Sequence, residues 1–269
     1  DPRHRLVDWM RDDSARLFSK TIVNRYWKHF FGHGLVDPED DFRSTNPATH
    51  PKLLDALADH FEKTGYDLKA LVRVIASSTT YQLSSIPNAH NAKDKHYYSR
   101  FQPKRLTAEV LYDSLNDLIL ARSNFGGLPV GTRAVCLPDN SYNSSNYFLS
   151  VFGRPDSSSA CECERSQEAS LAQSLHMFNA KNIHEKLARK NGRAARLATD
   201  MARDHASKIN SLYYQAFARP PREEEASVAL AYLARKAVDK EGKPADQIKE
   251  RYEDILWALA NTKEFLFNH

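Results

Sequence analysis

The sequence predicts an all-α fold, a multi-helix bundle-like domain with an irregular, partly extended central insert. Apolar residues recur at three- and four-residue steps along most of the 269 residues, which is the period of a helix with one buried face. Between residues 123 and 165 this period is lost, and Gly, Pro, Ser and Asn become frequent, as in turns and loops. We therefore expect one helical domain over 1–269, with N-terminal helices in 1–122 and C-terminal helices in 166–269.

Four helices are predicted before the insert. Proline suits a first helical turn and glycine suits a helix end, so one helix is placed between Pro51 and Gly65. The other three are expected from Phe18 to the glycines at 32 and 34, after Asp67, and from Thr107. The helix after Asp67 is expected to bury four apolar side chains, Leu68, Leu71, Val72 and Ile75.

The insert contains two short runs of β-favouring residues, "TRAVCL" (132–137) and "NYFLSVF" (146–152), which predict its partly extended character. A long irregular segment in a compact domain is usually functional or mobile. We therefore expect any site in the insert, or where the insert packs against the helices. After Glu168 the helical period returns, and the pair Pro220–Pro221 separates two of the later helices.

Composition excludes several classes of protein. No run of about 18 apolar residues occurs, so no membrane span is expected. A net charge of +4 is well short of the bias of a dedicated nucleic-acid domain, so nucleic acid is not an expected partner. The sequence has no complete hydrolase nucleophile elbow, phosphate-binding loop, dinucleotide fingerprint or His-Glu-x-x-His zinc motif. Its first residues read as part of a longer chain, so a missing leader does not assign a compartment.

The cysteines allow three interpretations. Cys161 and Cys163 stand one residue apart in "SSSACECERSQ", and Cys136 is the only other cysteine. Thiolates are ligands for zinc or another divalent metal, and a thiolate near Arg154 or Arg165 could exchange with disulfides. A disulfide from Cys136 to one of the pair would join two irregular segments. A structural role is favoured, and the metal and redox alternatives stay open.

Arg105, Glu109 and Asp113 are four residues apart and therefore share one helix face. Two adjacent carboxylates can work as acid and base or bind a divalent cation. With Glu164 and Arg165 of the insert, these residues are the candidate catalytic groups of a metal-assisted hydrolase. The favoured interpretation is a salt-bridged helix face that docks against Arg165 or another insert residue.

A basic stripe lies between residues 181 and 196. It contains six basic residues and one acid, Lys181, Lys186, Arg189, Lys190, Arg193 and Arg196 against Glu185. Such a stripe can bind a polysaccharide or another polyanion, but it lacks the interleaved aromatics that stack on bases. The candidate binding residues are Arg154, Lys186, Arg189, Lys190 and Arg193. A solvated surface is the favoured interpretation of the stripe.

Several segments together resemble one family. They are "NRYWKHFFGHGLVDPEDDFRSTNPATHPKLLDALADHF", "FQPKRLTAEVLYDSL", "YFLSVFGRPDSSSACECERSQEASLAQSLHMFN", "ARPPREEE" and "DILWALANTKEFLFNH". In this order they are similar to the planctomycete-type domain of unknown function found towards the C-terminus of large proteins. Ser157 and Tyr112 depart from the family pattern, which commonly has basic residues there, and this weakens a charge-based role for both positions.

The resemblance implies context more than chemistry. It implies an extracytoplasmic protein, periplasmic or secreted, whose partners include other modules of the same polypeptide and a cytochrome c-like domain among them. This chain has no Cys-x-x-Cys-His, so we expect no cofactor within it and any haem on a separate module. The sequence therefore predicts an accessory binding or assembly module of a large secreted protein. A metal-assisted hydrolase and a polyanion-binding module are the alternatives.

Overall fold

A computed structural model describes residues 1–12, 16–139, 141–142, 147–155, 173, 177, 181–235 and 247–268. The described residues divide into two compact units, unit 1 (Asp1–Lys104) and unit 2 (Arg105–Asn268). Within them lie twelve α-helices, one short 3-10 helix and two strands of two residues each. The prediction of an all-α fold is confirmed, and the prediction of a single domain stays a prediction. No described helix is both long and apolar enough to cross a membrane.

Among the described residues, four helices lie in unit 1 and eight in unit 2. Those of unit 1 are α1 (Arg3–Asp12), α2 (Leu17–Phe31), α3 (Pro51–Lys63) and α4 (Leu68–Ala76). Those of unit 2 are α5 (Ala108–Ile119), α6 (Tyr147–Val151), α7 (Lys181–Leu187), α8 (Arg193–Thr199), α9 (His205–Phe217), α10 (Glu223–Leu233), α11 (Ile248–Ala260) and α12 (Lys263–Leu266). The 3-10 helix is Ala134–Cys136, and the strands are β1 (Lys104–Arg105) and β2 (Phe267–Asn268), which pair.

Local sequence explains where the helices of unit 1 begin and end. Pro51 opens α3, and the Asp67 carboxylate accepts from two free amides of the first turn of α4. Gly32 ends α2 in a left-handed conformation, φ 87°, which glycine adopts without steric cost. The expected burial in α4 is confirmed for Leu71 and Ile75, whereas Val72 is half-buried and Leu68 is 42% exposed. Because Leu68 is the first residue of the helix, it lies beyond the edge of the packed face.

The core of unit 1 is made by apolar faces of α2, α3 and α4. Its members include Val23, Trp27, Phe31, Leu54, Leu57, Phe61, Leu71 and Ile75. The fully buried Asn24 fixes the chain after α2: its Nδ2 donates to the Val36 and Glu39 carbonyls, both at 2.8 Å, and its Oδ1 accepts from the Val36 amide. The Tyr98 hydroxyl donates to the Gly34 carbonyl at 2.7 Å. The backbone carbonyls of Gly34, Val36 and Glu39 and the Val36 amide are thus satisfied by hydrogen bonds.

Gly34 is expected to tolerate no side chain. A Cβ atom at this position would lie 2.2 Å from the Val36 carbonyl oxygen and 2.9 Å from Asn24 Oδ1, so the turn would have to move. We expect Gly34→Ala to lower the free energy of unfolding of unit 1 by about 1–3 kcal/mol, measured by chemical denaturation. Gly126→Ala in unit 2 is the control and should leave the stability of its own unit nearly unchanged, since nothing lies within 4 Å of the Cβ added there. Equal stability of the two variants would contradict this packing.

In unit 2, helix α5 is buried on most of its surface. Its apolar residues join a core contributed by most of the unit's helices, with Leu111, Leu115, Phe148, Ile209, Tyr252 and Leu256 among the fully buried members. Glu109, Asp113 and Asn116 of α5 are also buried. Because buried charged side chains are stable only when they are paired or hydrogen-bonded, Glu109 and Asp113 need partners from the residues that pack on α5.

Each of the two β-favouring runs of the insert forms a short helix, and neither forms a strand among its described residues. Residues 134–136 of "TRAVCL" form the 3-10 helix, and residues 147–151 of "NYFLSVF" form α6. Phe148 and Phe152 are buried and stacked, with ring centroids 4.3 Å apart. Their four-residue separation aligns them on one helix face. Burial against α5 therefore overrides the local strand preference of this run.

Candidate functional site

The contact between α5 and the insert centres on a buried ion pair. Arg154 Nε lies 3.1 Å from Glu109 Oε1, and the two side chains are 5% and 11% exposed. Arg154 Nη2 also donates to the Asp139 carbonyl at 3.0 Å. A buried arginine–carboxylate pair needs such added hydrogen bonds to offset the loss of hydration. Arg154, predicted as a binding residue, thus links the insert to α5.

Asp113 holds the 3-10 helix of the insert. Its Oδ1 accepts from the Ala134 amide at 2.8 Å and its Oδ2 from the Val135 amide at 3.2 Å. Arg133 Nε lies 3.5 Å from the same carboxylate. These amides are free donors at the start of the short helix, and a carboxylate there satisfies them. Asp113 therefore acts as the cap of this turn.

Arg105 also binds the insert. Its Nη2 donates to the Phe152 carbonyl at 3.0 Å, and its guanidinium lies 5.7 Å from the Phe152 ring centre. Burial lowers the pKa of Arg105. Arg105, Glu109 and Asp113 thus all contact insert residues, but the predicted shared helix face is wrong for Arg105, which lies in β1 before α5 begins at Ala108. Glu164 and Arg165 lie outside the described residues, and the catalytic role of the set stays a prediction.

Two cations of the basic stripe turn towards α5. Lys186 Nζ donates to Asn116 Oδ1 at 2.9 Å and to the Tyr112 hydroxyl at 3.2 Å. Arg193 Nη2 donates to the Asp117 carbonyl at 2.9 Å, near the C-terminal end of α5, where cations are favoured. The remaining candidates of the stripe, Arg189 and Lys190, are exposed. Polyanion binding by these residues stays a prediction.

Cys136 is exposed at the end of the 3-10 helix. Cys161 and Cys163 lie outside the described residues, so the disulfide, metal and redox interpretations of the pair stay predictions. Among the described residues, no three His, Cys, Asp or Glu side chains are grouped as a metal site.

A polar pocket of about 280 Å³ lies beside the C-terminal half of α5. Its polar lining consists of Asp113, Asn116, Asp117, Arg122, Ser123 and Arg133. Five of these residues were not predicted from the sequence as site residues: Asn116, Asp117, Arg122, Ser123 and Arg133. Asp117 could have been predicted, because it lies four residues after Asp113 on the same helix face. The insert residues Ser123 and Arg133 reach the pocket only because the loop folds back on α5.

A larger groove of about 620 Å³ lies between α9, α10 and α11. Most of its lining is apolar, including Val228, Ala229, Ile255, Trp257, Ala258 and Leu259. Val228 is 71% exposed. The charged residues that line the groove, within the part of the chain that the structure describes, are the carboxylates Glu224, Glu225 and Asp254. This groove was not predicted from the sequence, although apolar residues on more than one face of α10 could have indicated it.

One end of the groove is held by Arg219. Its guanidinium binds Glu225 through two hydrogen bonds of 2.8 and 2.9 Å and Glu264 through two of 2.6 and 2.7 Å. The Arg219 hydrogen bonds lower the pKa of Glu225 to about 2. Such bidentate pairs fix geometry as well as charge, so Arg219 joins the start of α10 to α12.

Acid is expected to weaken this connection. Glu225 has a lower pKa folded than unfolded, where it is near 4.5, so its stabilisation is present above that pH and lost as pH falls towards about 2. Arg219→Gln should lower the free energy of unfolding of unit 2 at neutral pH by about 1–3 kcal/mol. It should also make the fall in stability with acid shallower. Denaturation across a pH series tests this, with the exposed Arg196→Gln as control. Identical acid dependence for Arg219→Gln and the unmodified chain would exclude this role.

Comparison with known proteins identifies one family. The PSD1 family, described as "Protein of unknown function (DUF1553)", matches residues 2–233, which is most of the chain. No curated protein and no solved structure gives a match.

Proposed function

This chain belongs to the PSD1 family of proteins of unknown function, and we propose that it is an accessory binding or assembly module of a large, secreted, multi-domain protein. The observation that carries the proposal is the groove between α9, α10 and α11. An open groove with an apolar floor and an acidic rim is a surface that recognises another polypeptide.

The shape of the groove favours a helical ligand. Two roughly adjacent helices, α10 and α11, supply its walls, with Val228 on one and Ala258 on the other. The small side chain of Ala258, which is exposed, lets the ligand helix approach closely. Apolar side chains at i, i+3 or i+4, and i+7 of such a helix would cover Val228 and Trp257.

The charge of the groove favours a basic ligand. Glu224 is exposed at the rim, and Asp254 is exposed beside the Tyr232 hydroxyl that binds it. A helix with Lys or Arg flanking its apolar face would place opposite charges at this rim, which fixes orientation and speeds association. The occupant that we propose is therefore a basic amphipathic helix of another module of the same polypeptide. A cytochrome c-like module is one neighbour that the resemblance implies.

The segment between α10 and α11 is a poor alternative occupant on composition. Residues 236–246 read "KAVDKEGKPAD", with six charged residues and few large apolar side chains. A segment of this composition lacks the bulky anchors that bury an apolar floor. An occupant from another module accounts better for the exposure of Val228.

The hydrolase alternative receives less support from the site. The Glu109 carboxylate pairs with Arg154, and the Asp113 carboxylate accepts two backbone amides. Both groups therefore have a structural task that explains their burial. Polyanion binding by Arg189 and Lys190 is supported only by their exposure.

Hydrogen exchange of the natural longer polypeptide tests the assembly proposal. Amides of α10 and α11 should exchange at least about tenfold more slowly there than in the isolated chain, because a docked helix protects them. The double variant Val228→Gln/Ala258→Gln should remove this protection in the longer polypeptide while leaving exchange of the isolated chain unchanged. Met201→Gln is the control, since Met201 is 92% exposed in the same unit and outside the groove. Equal exchange in the two forms of the unmodified protein would refute the proposal.

A further inference from the structure

The polar pocket beside α5 has hydrogen-bonding groups that the fold does not use. Asn116 is satisfied, since its Oδ1 accepts from Lys186 and its Nδ2 donates to Ser123 Oγ at 3.3 Å. Ser123 Oγ accepts this bond, and among the described residues no acceptor receives a hydrogen bond from the Ser123 hydroxyl. A buried hydroxyl, 6% exposed, that keeps a donor free is a group that a ligand can satisfy.

Two charged side chains at the pocket are also available. Arg122 is exposed and has no ion-pair partner among the described residues. The Asp117 carboxylate, 72% exposed, binds Arg133 Nη2 at 3.1 Å through one oxygen, which leaves acceptor capacity on the other. The pocket therefore offers donors on Arg122 and Ser123 and an acceptor on Asp117.

Arg122 is the cation of the pocket that no described carboxylate neutralises. The lining carries two cations, Arg122 and Arg133, and two carboxylates, Asp113 and Asp117. Arg133 forms ion pairs with both carboxylates, whereas Arg122 forms none among the described residues. An anionic group is therefore favoured at Arg122.

We infer that this pocket binds a single anionic sugar unit, with its carboxylate or sulfate on Arg122 and its ring hydroxyls on Asp117 and Ser123. A mixture of donors and acceptors suits a polyol, whereas a pure polyanion site would carry no acceptor. The volume of about 280 Å³ is at the lower end of ligand pockets, which fits one ring. Val130, 68% exposed in the lining, gives an apolar contact for the C–H face of that ring.

The inference is independent of the groove and of any docked helix. It also differs from polyanion binding by the exposed stripe, because binding in the pocket requires the Asp117 carboxylate as an acceptor for ring hydroxyls. Nonspecific attraction of a polyanion strengthens when a carboxylate is removed. Recognition of ring hydroxyls weakens when the carboxylate that accepts them is removed.

Titration calorimetry of the chain with tetragalacturonic acid, a sulfated tetrasaccharide and neutral maltotetraose tests the inference. We expect saturable binding of one of the two anionic probes and at least about tenfold weaker binding of the neutral one. Arg122→Gln should weaken binding at least about tenfold, and Asp117→Asn and Ser123→Ala at least about threefold. The preferred anionic probe distinguishes carboxylate from sulfate.

The control is the double variant Arg189→Gln/Lys190→Gln, which removes exposed charge from the stripe and should change the affinity less than about twofold. Unchanged melting temperatures of the variants establish that the pocket is folded. Tighter binding by Asp117→Asn, or loss of binding in the stripe variant, would overturn the inference in favour of nonspecific attraction. Absence of binding by both anionic probes would overturn it outright.

Discussion

Replacing Glu109 with leucine is expected to lower the free energy of unfolding of unit 2 by about 3–5 kcal/mol. The substitution leaves the Arg154 guanidinium, whose side chain is 5% exposed, without its carboxylate partner in an apolar environment. Removing one partner of a buried pair costs more than the pair itself contributes, because the remaining charge has lost its hydration. Urea denaturation followed by circular dichroism measures the loss.

An exposed acid supplies the comparison. Glu185 pairs with Lys181 at 3.6 Å, but the two side chains are 64% and 90% exposed. Glu185→Leu should therefore change stability by less than about 1 kcal/mol. If Glu109→Leu is as mild as Glu185→Leu, the pair between α5 and the insert does not form as described.

Phe148→Ala is expected to cost about 3–5 kcal/mol. Phe148 is 1% exposed, stacks on Phe152 and lies 5.4 Å from the Tyr112 ring, centre to centre. Its removal leaves a cavity between α6 and α5 that the surrounding helices cannot fill without moving. Thermal and chemical denaturation of the variant give the magnitude.

Tyr147→Ala is the control for this substitution. Tyr147 precedes Phe148 in α6 but is 69% exposed, so we expect a loss of less than about 1 kcal/mol. Similar losses for both variants would show that α6 does not present Phe148 to the core. A loss confined to Phe148→Ala would establish that the insert is part of the folded unit.

Helices with one apolar face could be predicted from sequence. Trp27 and Phe31 are four residues apart and are buried, and Pro51 and Gly32 mark helix ends by their backbone preferences alone. The α6 helix could not be predicted, since its aromatic residues favour a strand until α5 supplies a surface to pack on. Local preference is a weak guide wherever burial decides the conformation.

The candidate sites were predictable in part. The shared face of Glu109 and Asp113 follows from helical spacing, but Arg105 lies in β1 outside the helix. The partners of these three residues do not follow from spacing. Arg154 is 45 residues from Glu109 in the chain, and no local rule gives a pairing over that separation. The capping of the 3-10 helix by Asp113 could not be predicted from the sequence either, because it depends on how the insert folds back on α5.

A double-mutant cycle between Glu109 and Arg154 tests most directly whether the carboxylates of α5 fix the insert. The free energies of unfolding of the unmodified chain, Glu109→Leu, Arg154→Leu and the double variant give the coupling energy of the pair. The account predicts a coupling of about 2–3 kcal/mol, with the double variant more stable than the sum of the two losses implies. A coupling below about 0.5 kcal/mol would contradict it.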